Sequence, residues 1–203
     1  MSIKAVIWDI GGVLIRTEDW SFRHKMAAKL GLPLRHIYDL VFDGEVGQQA
    51  QRGEITPPEL WEYARRELNL DPDGIAEFRE QFFAGDVMDQ ALIERIRGLK
   101  KRYRTGIITN AWIDLRQTLE NNWLIGDAFD AIVVSAEEGL MKPDSRIYQK
   151  ALDMLQVEAA QAVFLDDNAA NVEGARRHGL AAIHFSDPDQ ALIELDQYLA
   201  QDG

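Results

Sequence analysis

Phe164-Leu165-Asp166-Asp167-Asn168-Ala169-Ala170-Asn171-Val172-Glu173-Gly174-Ala175 ends an apolar run on two adjacent carboxylates and then enters a segment of helical period. Two acids at the carboxyl end of a buried strand repel each other and resist desolvation. A cation is therefore expected beside them, and a divalent metal is the natural candidate. The start of the chain repeats the pattern: in Ile3-Lys4-Ala5-Val6-Ile7-Trp8-Asp9-Ile10-Gly11-Gly12-Val13-Leu14 a hydrophobic run stops on an aspartate and meets glycines. If the two strands are neighbours, Asp9, Asp166 and Asp167 converge on one point.

Working outward, further continuously apolar runs at Thr105–Thr109, Ala131–Val134 and Ala181–Phe185 join Ile3–Trp8 and Ala162–Leu165 as predicted strands. Runs without polar alternation are what strands buried on both faces require, and the intervening helical periods place helices on both sides. Ile147, Ala151 and Leu155 recur at i+4 after Pro143-Asp144, and Val172 and Ala175 precede basic residues and a stop at Gly179. The expected class is α/β, a Rossmann-like parallel sheet with helices on both faces. Between residues 17 and 88 the strand signal gives way to helical stripes. Phe22, Met26 and Leu30 form one, and Thr56-Pro57-Pro58-Glu59 reads as a capping box leading into Leu60, Ala64 and Leu68. Residues 1–16 and 89–203 are thus expected to form the α/β core, and 17–88 an inserted all-helical cap. Because it follows Asp9 at once, the cap should lie over the carboxyl ends of the strands, where open α/β sheets bind ligands.

Composition excludes several classes of function. The 203 residues, 46% hydrophobic and 28% charged, suffice for a globular core. No apolar stretch approaches the roughly 18 residues needed to cross a bilayer, and the N-terminus lacks the pattern of a signal peptide, so a cytoplasmic protein with no membrane partner is expected. The absence of cysteine removes disulfides, thiolate metal sites and cysteine nucleophiles. A net charge of −12 argues against nucleic acid, whose phosphates are held by clustered Lys and Arg.

The residues left to carry chemistry stand at strand ends or just after. Asp9 is a nucleophile or ligand. Thr109-Asn110 offers a hydroxyl and a backbone N–H, Lys142 a fixed ammonium, and Asp166-Asp167 an acid pair. This set suits phosphoryl transfer, which depends mostly on positioning and on neutralising oxygens. All-oxygen ligands fit magnesium better than zinc. Taken singly, Asp9 could be a turn or cap, Thr109 and Asn110 helix caps, and Lys142 a solvated side chain; their partnership carries the reading. His24, His36, His178 and His184 show no ligand spacing, and Trp20, Trp61 and Trp123 read as packing residues, the first two in the cap.

Trp8-Asp9-Ile10-Gly11-Gly12-Val13-Leu14, Ile107-Ile108-Thr109-Asn110, Gly139-Leu140-Met141-Lys142-Pro143 and Asp166-Asp167-Asn168-Ala169-Ala170-Asn171 resemble, in order, the four motifs of the haloacid dehalogenase-like hydrolases, in the subfamily whose helical cap lies between the first and second. The resemblance implies an Asp9 carboxylate that attacks phosphorus to give an aspartyl-phosphate, with Thr109, Asn110 and Lys142 on the phosphate. It also implies magnesium held by Asp9, the Gly11 carbonyl, Asp167 and, directly or through water, Asp166. The expected activity is that of a phosphatase for a small phosphorylated metabolite. The alternatives are a silent binding module and a dehalogenase proper.

One position departs from the family pattern. Its phosphatases usually carry a second aspartate two residues after the nucleophile, as general acid and base, and this chain has Gly11 there. Asp-x-Gly resembles a subset of the sugar-phosphate phosphatases, so sugar phosphates are among the expected substrates. Such acid–base help contributes about 10²–10⁴-fold. A leaving group that needs no proton, such as an anomeric oxygen, would miss it least. Specificity is expected from the cap, with Arg16, Glu45, Gln48 and Arg52 as candidates.

Overall fold

The computed structural model describes residues 2–200. In chain order the strands are β1 (Ala5–Trp8), β2 (Ile15–Thr17), β3 (Asp86–Met88), β4 (Arg104–Thr109), β5 (Ala131–Val134), β6 (Ala162–Asp166) and β7 (Ala181–His184). The α-helices are α1 (Ser21–Leu30), α2 (Leu34–Tyr38), α3 (Glu45–Gln51), α4 (Pro57–Glu67), α5 (Pro72–Phe83), α6 (Gln90–Leu99), α7 (Leu115–Gln117), α8 (Ser135–Glu138), α9 (Ser145–Leu155), α10 (Ala169–Arg177) and α11 (Pro188–Ala200).

Five strands form one parallel sheet in the order β5-β4-β1-β6-β7. Their apolar continuity follows from having two cores to fill. Val6 and Trp8 of β1 pack with Leu92, Ile93, Ile96 and Leu195 of α6 and α11, while Ala5 and Ile7 pack with Ile147, Tyr148, Leu152 and Val172 of α9 and α10. The central strand β1 has β4 on one side and β6 on the other, so the connections diverge there, and the carboxyl ends of these three strands frame a ligand crevice. Asp9, Thr109 and Asp166 all stand at those ends.

Two local features fix what flanks the crevice. Asn168 caps α10 by accepting from the Ala170 N–H at 2.9 Å, which starts the helix immediately after the acid pair. A Cβ at Gly174 would fall 2.6 Å from Cβ of Pro143 and 2.9 Å from the Tyr148 hydroxyl, so the missing side chain lets α10 close on the segment carrying Lys142.

Helices α1 to α5 surround a third core, which includes Met26, Ile37, Val41, Trp61, Phe78 and Phe82. The capping box forms as expected. The Thr56 backbone N–H and hydroxyl both donate to Glu59, each at 2.7 Å. Strand residues appear at the margins of the 17–88 stretch: β2 and β3 pair antiparallel, with Thr17 opposite Asp86, and carry the chain into and out of the helices. Three-residue strands are too short for a period of two to register in sequence. Arg23, buried in α1, ties this ribbon to the helices by donating to the Phe82 carbonyl at 2.7 Å and to both oxygens of Asp86 at 2.7 and 2.8 Å. The Thr17 hydroxyl donates to the same carboxylate at 2.6 Å.

Candidate active site

At the crevice the Lys142 ammonium lies between two carboxylates, 2.8 Å from Oδ1 of Asp9 and 2.6 Å from Oδ2 of Asp166. Asp166 is wholly buried and saturated with donors. Besides Lys142 it accepts from the Asn168 N–H at 2.8 Å and, through both oxygens, from the Asn171 side-chain amide at 3.1 Å. Asp9 accepts through Oδ1 alone, from Lys142 and from the Ile10 N–H at 2.7 Å. Its Oδ2 has no hydrogen-bond donor among the described residues. One oxygen from each of Asp9, Asp166 and Asp167 lies within 4.8 Å of the others. The sequence-predicted convergence is therefore present, and the two members of the acid pair differ. Asp166 is the buried counter-ion of Lys142, while Asp167 is exposed to solvent.

The electrostatics follow from that crowding. Burial, partly offset by Lys142 and reinforced by Asp166, pushes the Asp9 carboxyl up to about 7. Partial desolvation of its carboxyl against the turn after β1, and then the Asp166 charge, raise Asp167 although the residue reaches solvent. For Lys142 burial opposes the charge, but Asp9 and Asp166 outweigh it and hold the ammonium above its ordinary range. If all three carboxylates ionise, the single ammonium leaves two negative charges in a small volume. A divalent cation with a preference for oxygen matches both the charge and the donor set.

The backbone brings these groups together through a tight turn after β1. Gly12 has φ +76°, and a Cβ there would meet Oδ2 of Asp167 at 2.1 Å, so the turn presses its backbone against that carboxylate. Around Gly11, in contrast, an added Cβ meets nothing within 4 Å. Thr109 is buried, and its hydroxyl has no partner among the described residues. The Asn110 side chain is engaged by the Lys142 backbone: its Oδ1 accepts from the Lys142 N–H at 2.8 Å and its Nδ2 donates to the Lys142 carbonyl at 3.1 Å. Asn110 thus locks the position of Lys142 and has only its backbone to offer a ligand.

Three residues at the site were not singled out from sequence. Asn171, within the quoted tract, clamps Asp166 from α10 and accepts the Tyr148 hydroxyl at 2.8 Å through its carbonyl. Ser135, first residue after β5, accepts the Ala111 N–H at 2.9 Å and donates to the Gln51 carbonyl of α3 at 2.6 Å, joining the loop after Thr109-Asn110 to the inserted helices. Its place at a strand's carboxyl end was the available signal. Trp112, on that same loop, packs among the rings of the inserted helices. The proposed cap selectors are engaged elsewhere. Arg16 binds Asp89 and the Val13 carbonyl, both at 2.9 Å; Arg52 pairs with Glu45 and Glu54; and Gln48 donates to the Asp43 carbonyl. His184 lies beside the site, its Nε2 donating to the Asp167 carbonyl at 2.8 Å.

Known proteins share this architecture. A HAD family enzyme of Bacteroides thetaiotaomicron, solved with magnesium and inorganic phosphate, superposes with a TM-score of 0.74 at 20% identity, over 89% of this chain and 93% of that one, a likeness of fold. Sesquiterpene phosphatase astK of Aspergillus oryzae is 28% identical over 97% of this chain and 96% of its own length. Bifunctional epoxide hydrolase 2 of Sus scrofa is 30% identical over 97% of this chain, which spans only 39% of that protein. No helix among the described residues is long and apolar enough to cross a membrane. The family model for haloacid dehalogenase-like hydrolases matches residues 3–179, a span that takes in Asp9, Thr109, Lys142, Asp166 and Asp167 together, and the chain belongs to that family.

Proposed function

We propose that the protein is a magnesium-dependent phosphatase of a small phosphorylated metabolite, working through an aspartyl-phosphate on Asp9. The observation that carries this reading is the pairing of Asp9 with Lys142 in a cluster of three carboxylates, while Oδ2 of Asp9 has no donor among the described residues. The phosphatase among the relatives and the magnesium and phosphate in the structural neighbour support it. In this reading residues 17–88 act as the cap over a core built from 1–16 and 89–203.

Asp9, Asp167 and the Gly11 carbonyl would hold magnesium; Asp166, whose oxygens are taken by Lys142, Asn168 and Asn171, would join them directly or through water only by releasing one of those donors. The ion would supply charge neutralisation for the phosphate oxygens. The chain's own groups do the rest. Lys142 balances negative charge at Asp9 and on the phosphoryl group, and the Thr109 hydroxyl and Asn110 N–H donate to phosphoryl oxygens. A carboxylate oxygen of Asp9 forms a bond to phosphorus as the ester P–O bond breaks. The leaving oxygen takes its proton from solvent, because Gly11 has no side chain to give one. Water then adds to phosphorus as the aspartyl P–O bond breaks, its proton passing to solvent, which regenerates the Asp9 carboxylate and releases inorganic phosphate.

The direct test is phosphate release from a panel of phosphomonoesters with magnesium and with chelator. Activity is expected only with the metal, and turnover that survives exhaustive chelation would sink the reading. Asp167→Ala is expected to weaken magnesium binding at least about tenfold, as loss of a charged oxygen ligand from a crowded site should, read by calorimetry without substrate. Unchanged affinity would remove Asp167 from the ligand set.

Gly11→Asp has room for its Cβ. It is expected to raise steady-state turnover of alkyl esters by up to about 10²-fold, and that of aryl esters much less, because only the alkyl leaving oxygen needs a proton. Equal effects on both ester types would show that protonation is already supplied by another residue.

A further inference from the structure

Beyond the carboxylates, the loop that leaves β4 after Thr109 runs into a cluster of aromatic rings from the inserted helices. Trp112 stands three residues past Thr109, a separation of at most about 10 Å along the chain. Its ring stacks on Phe42 with centroids 5.6 Å apart and planes at 22°, and it meets Trp61 and Phe83 edge-on at 5.5 and 6.2 Å. Tyr38 continues the series, 6.4 Å from Phe42. Tyr38, Phe42, Phe83 and Trp112 are only half-buried. The indole N–H groups of Trp61 and Trp112 are buried without a partner.

The polar side chains of the inserted helices offer little to a polyol. Arg23 is taken up by Phe82, Asp86 and the Tyr38 hydroxyl, and Arg52 by two glutamates. Gln51 is held by the Phe42 and Gly47 carbonyls. A sugar seated there would find only the two indole N–H groups free among these side chains, and each further hydroxyl left buried and unpaired would cost about 1–3 kcal/mol. An aromatic ring meets the opposite situation, since stacked and edge-on contacts with these rings favour it.

A second observation narrows the leaving group to an acidic oxygen, a property that a phenol shares with an anomeric hydroxyl. With glycine at position 11 and open space around it, no acid stands there to protonate a leaving oxygen. A phenol, with a pKa of about 10 like that of tyrosine, departs as phenolate without that help. An alkyl alcohol does not.

We infer that the substrate is a phosphate monoester of a phenol-type aromatic alcohol, its ring seated against Phe42 and Trp112 while Lys142 and Thr109 hold the phosphate. This rests on the phosphatase reading and narrows it from the broader set that included sugar phosphates. Binding of non-hydrolysable phosphonates tests it independently of turnover. On the native magnesium-loaded protein, phenylphosphonate is expected to bind about tenfold more tightly than methylphosphonate. Glucose 1-phosphate is expected to compete no better than inorganic phosphate. Phe42→Ala, and separately Phe83→Leu, should reduce the phenyl-over-methyl margin to about threefold or less while leaving methylphosphonate affinity unchanged. Trp112→Phe, which keeps a ring, should retain the margin. Equal affinity for the two phosphonates, or a uniform loss for both in the variants, would overturn the aromatic subsite and leave the phosphatase reading standing, with the rings acting only as packing. Failure of either phosphonate to bind, together with no ester hydrolysed, would overturn both.

Discussion

Replacing Asp9 with Asn is expected to lower phosphate release by at least about 10³-fold while leaving the protein folded, because the amide is nearly isosteric but cannot form the acyl-phosphate. The same substitution should change stability in a way set by burial. The carboxyl of Asp9 ordinarily titrates at 3.8 and is pushed up to about 7 in the fold. A group whose folded pKa is raised binds its proton more tightly in the native state, so native stability in chelator falls as pH climbs from about 4 to about 7, and the full cost is present above that. Asp9→Asn removes this part of the slope; Asp167, also raised by burial and by Asp166, retains a share of it. Denaturant midpoints at pH 4.5 and 7.5, in chelator, should therefore converge for the variant more than for the native protein. Native-like turnover in the variant would exclude Asp9 as nucleophile, and identical pH slopes would exclude its burial as a source of the pH dependence.

The parallel strands were legible because burial on both faces leaves no polar alternation, so each appears as an uninterrupted apolar run ending at a chemically distinctive residue. Asp166-Asp167 was legible because two adjacent acids after such a run need a cation. Strand order was not, since nothing in the β1 sequence says that β4 and β6 lie on either side of it. Lys142 read alone resembles any surface lysine. Only the approach of α10 through Gly174 and the side-chain clamp from Asn110 turn it into a buried ammonium. Ser135 and Gln51 are joined across 84 residues of chain, and Trp112 meets rings from three helical segments. Such roles are created by packing between distant elements, and local periodicity carries no trace of them. The specificity candidates Arg16, Glu45, Gln48 and Arg52 are all polar. That is the property that lets neighbouring charges and carbonyls engage them.

Lys142→Met should be the most destabilising single change at the site. The ammonium is fully enclosed and pairs at once with Asp9 and Asp166, and a methionine of similar length fills the space without the charge. Removing one member of a buried ion pair strands its partner, at a cost of about 3–5 kcal/mol. Asp166 cannot escape to solvent, being wholly buried, and the Asn168 N–H and Asn171 amide are neutral donors that cannot replace a cation. Neutralising the stranded acid should repair the damage, so the double variant Lys142→Met/Asp166→Asn is expected to regain most of the lost stability in urea denaturation. Turnover should not return with it, because in the proposed mechanism the phosphoryl group still lacks the ammonium, and both variants are expected to remain at least about 10²-fold below the native rate. A loss under about 1 kcal/mol in the single variant, with no gain in the double, would mean that Asp166 is not an ion held by Lys142. In that case the buried pairing would be no guide to how the site is charged.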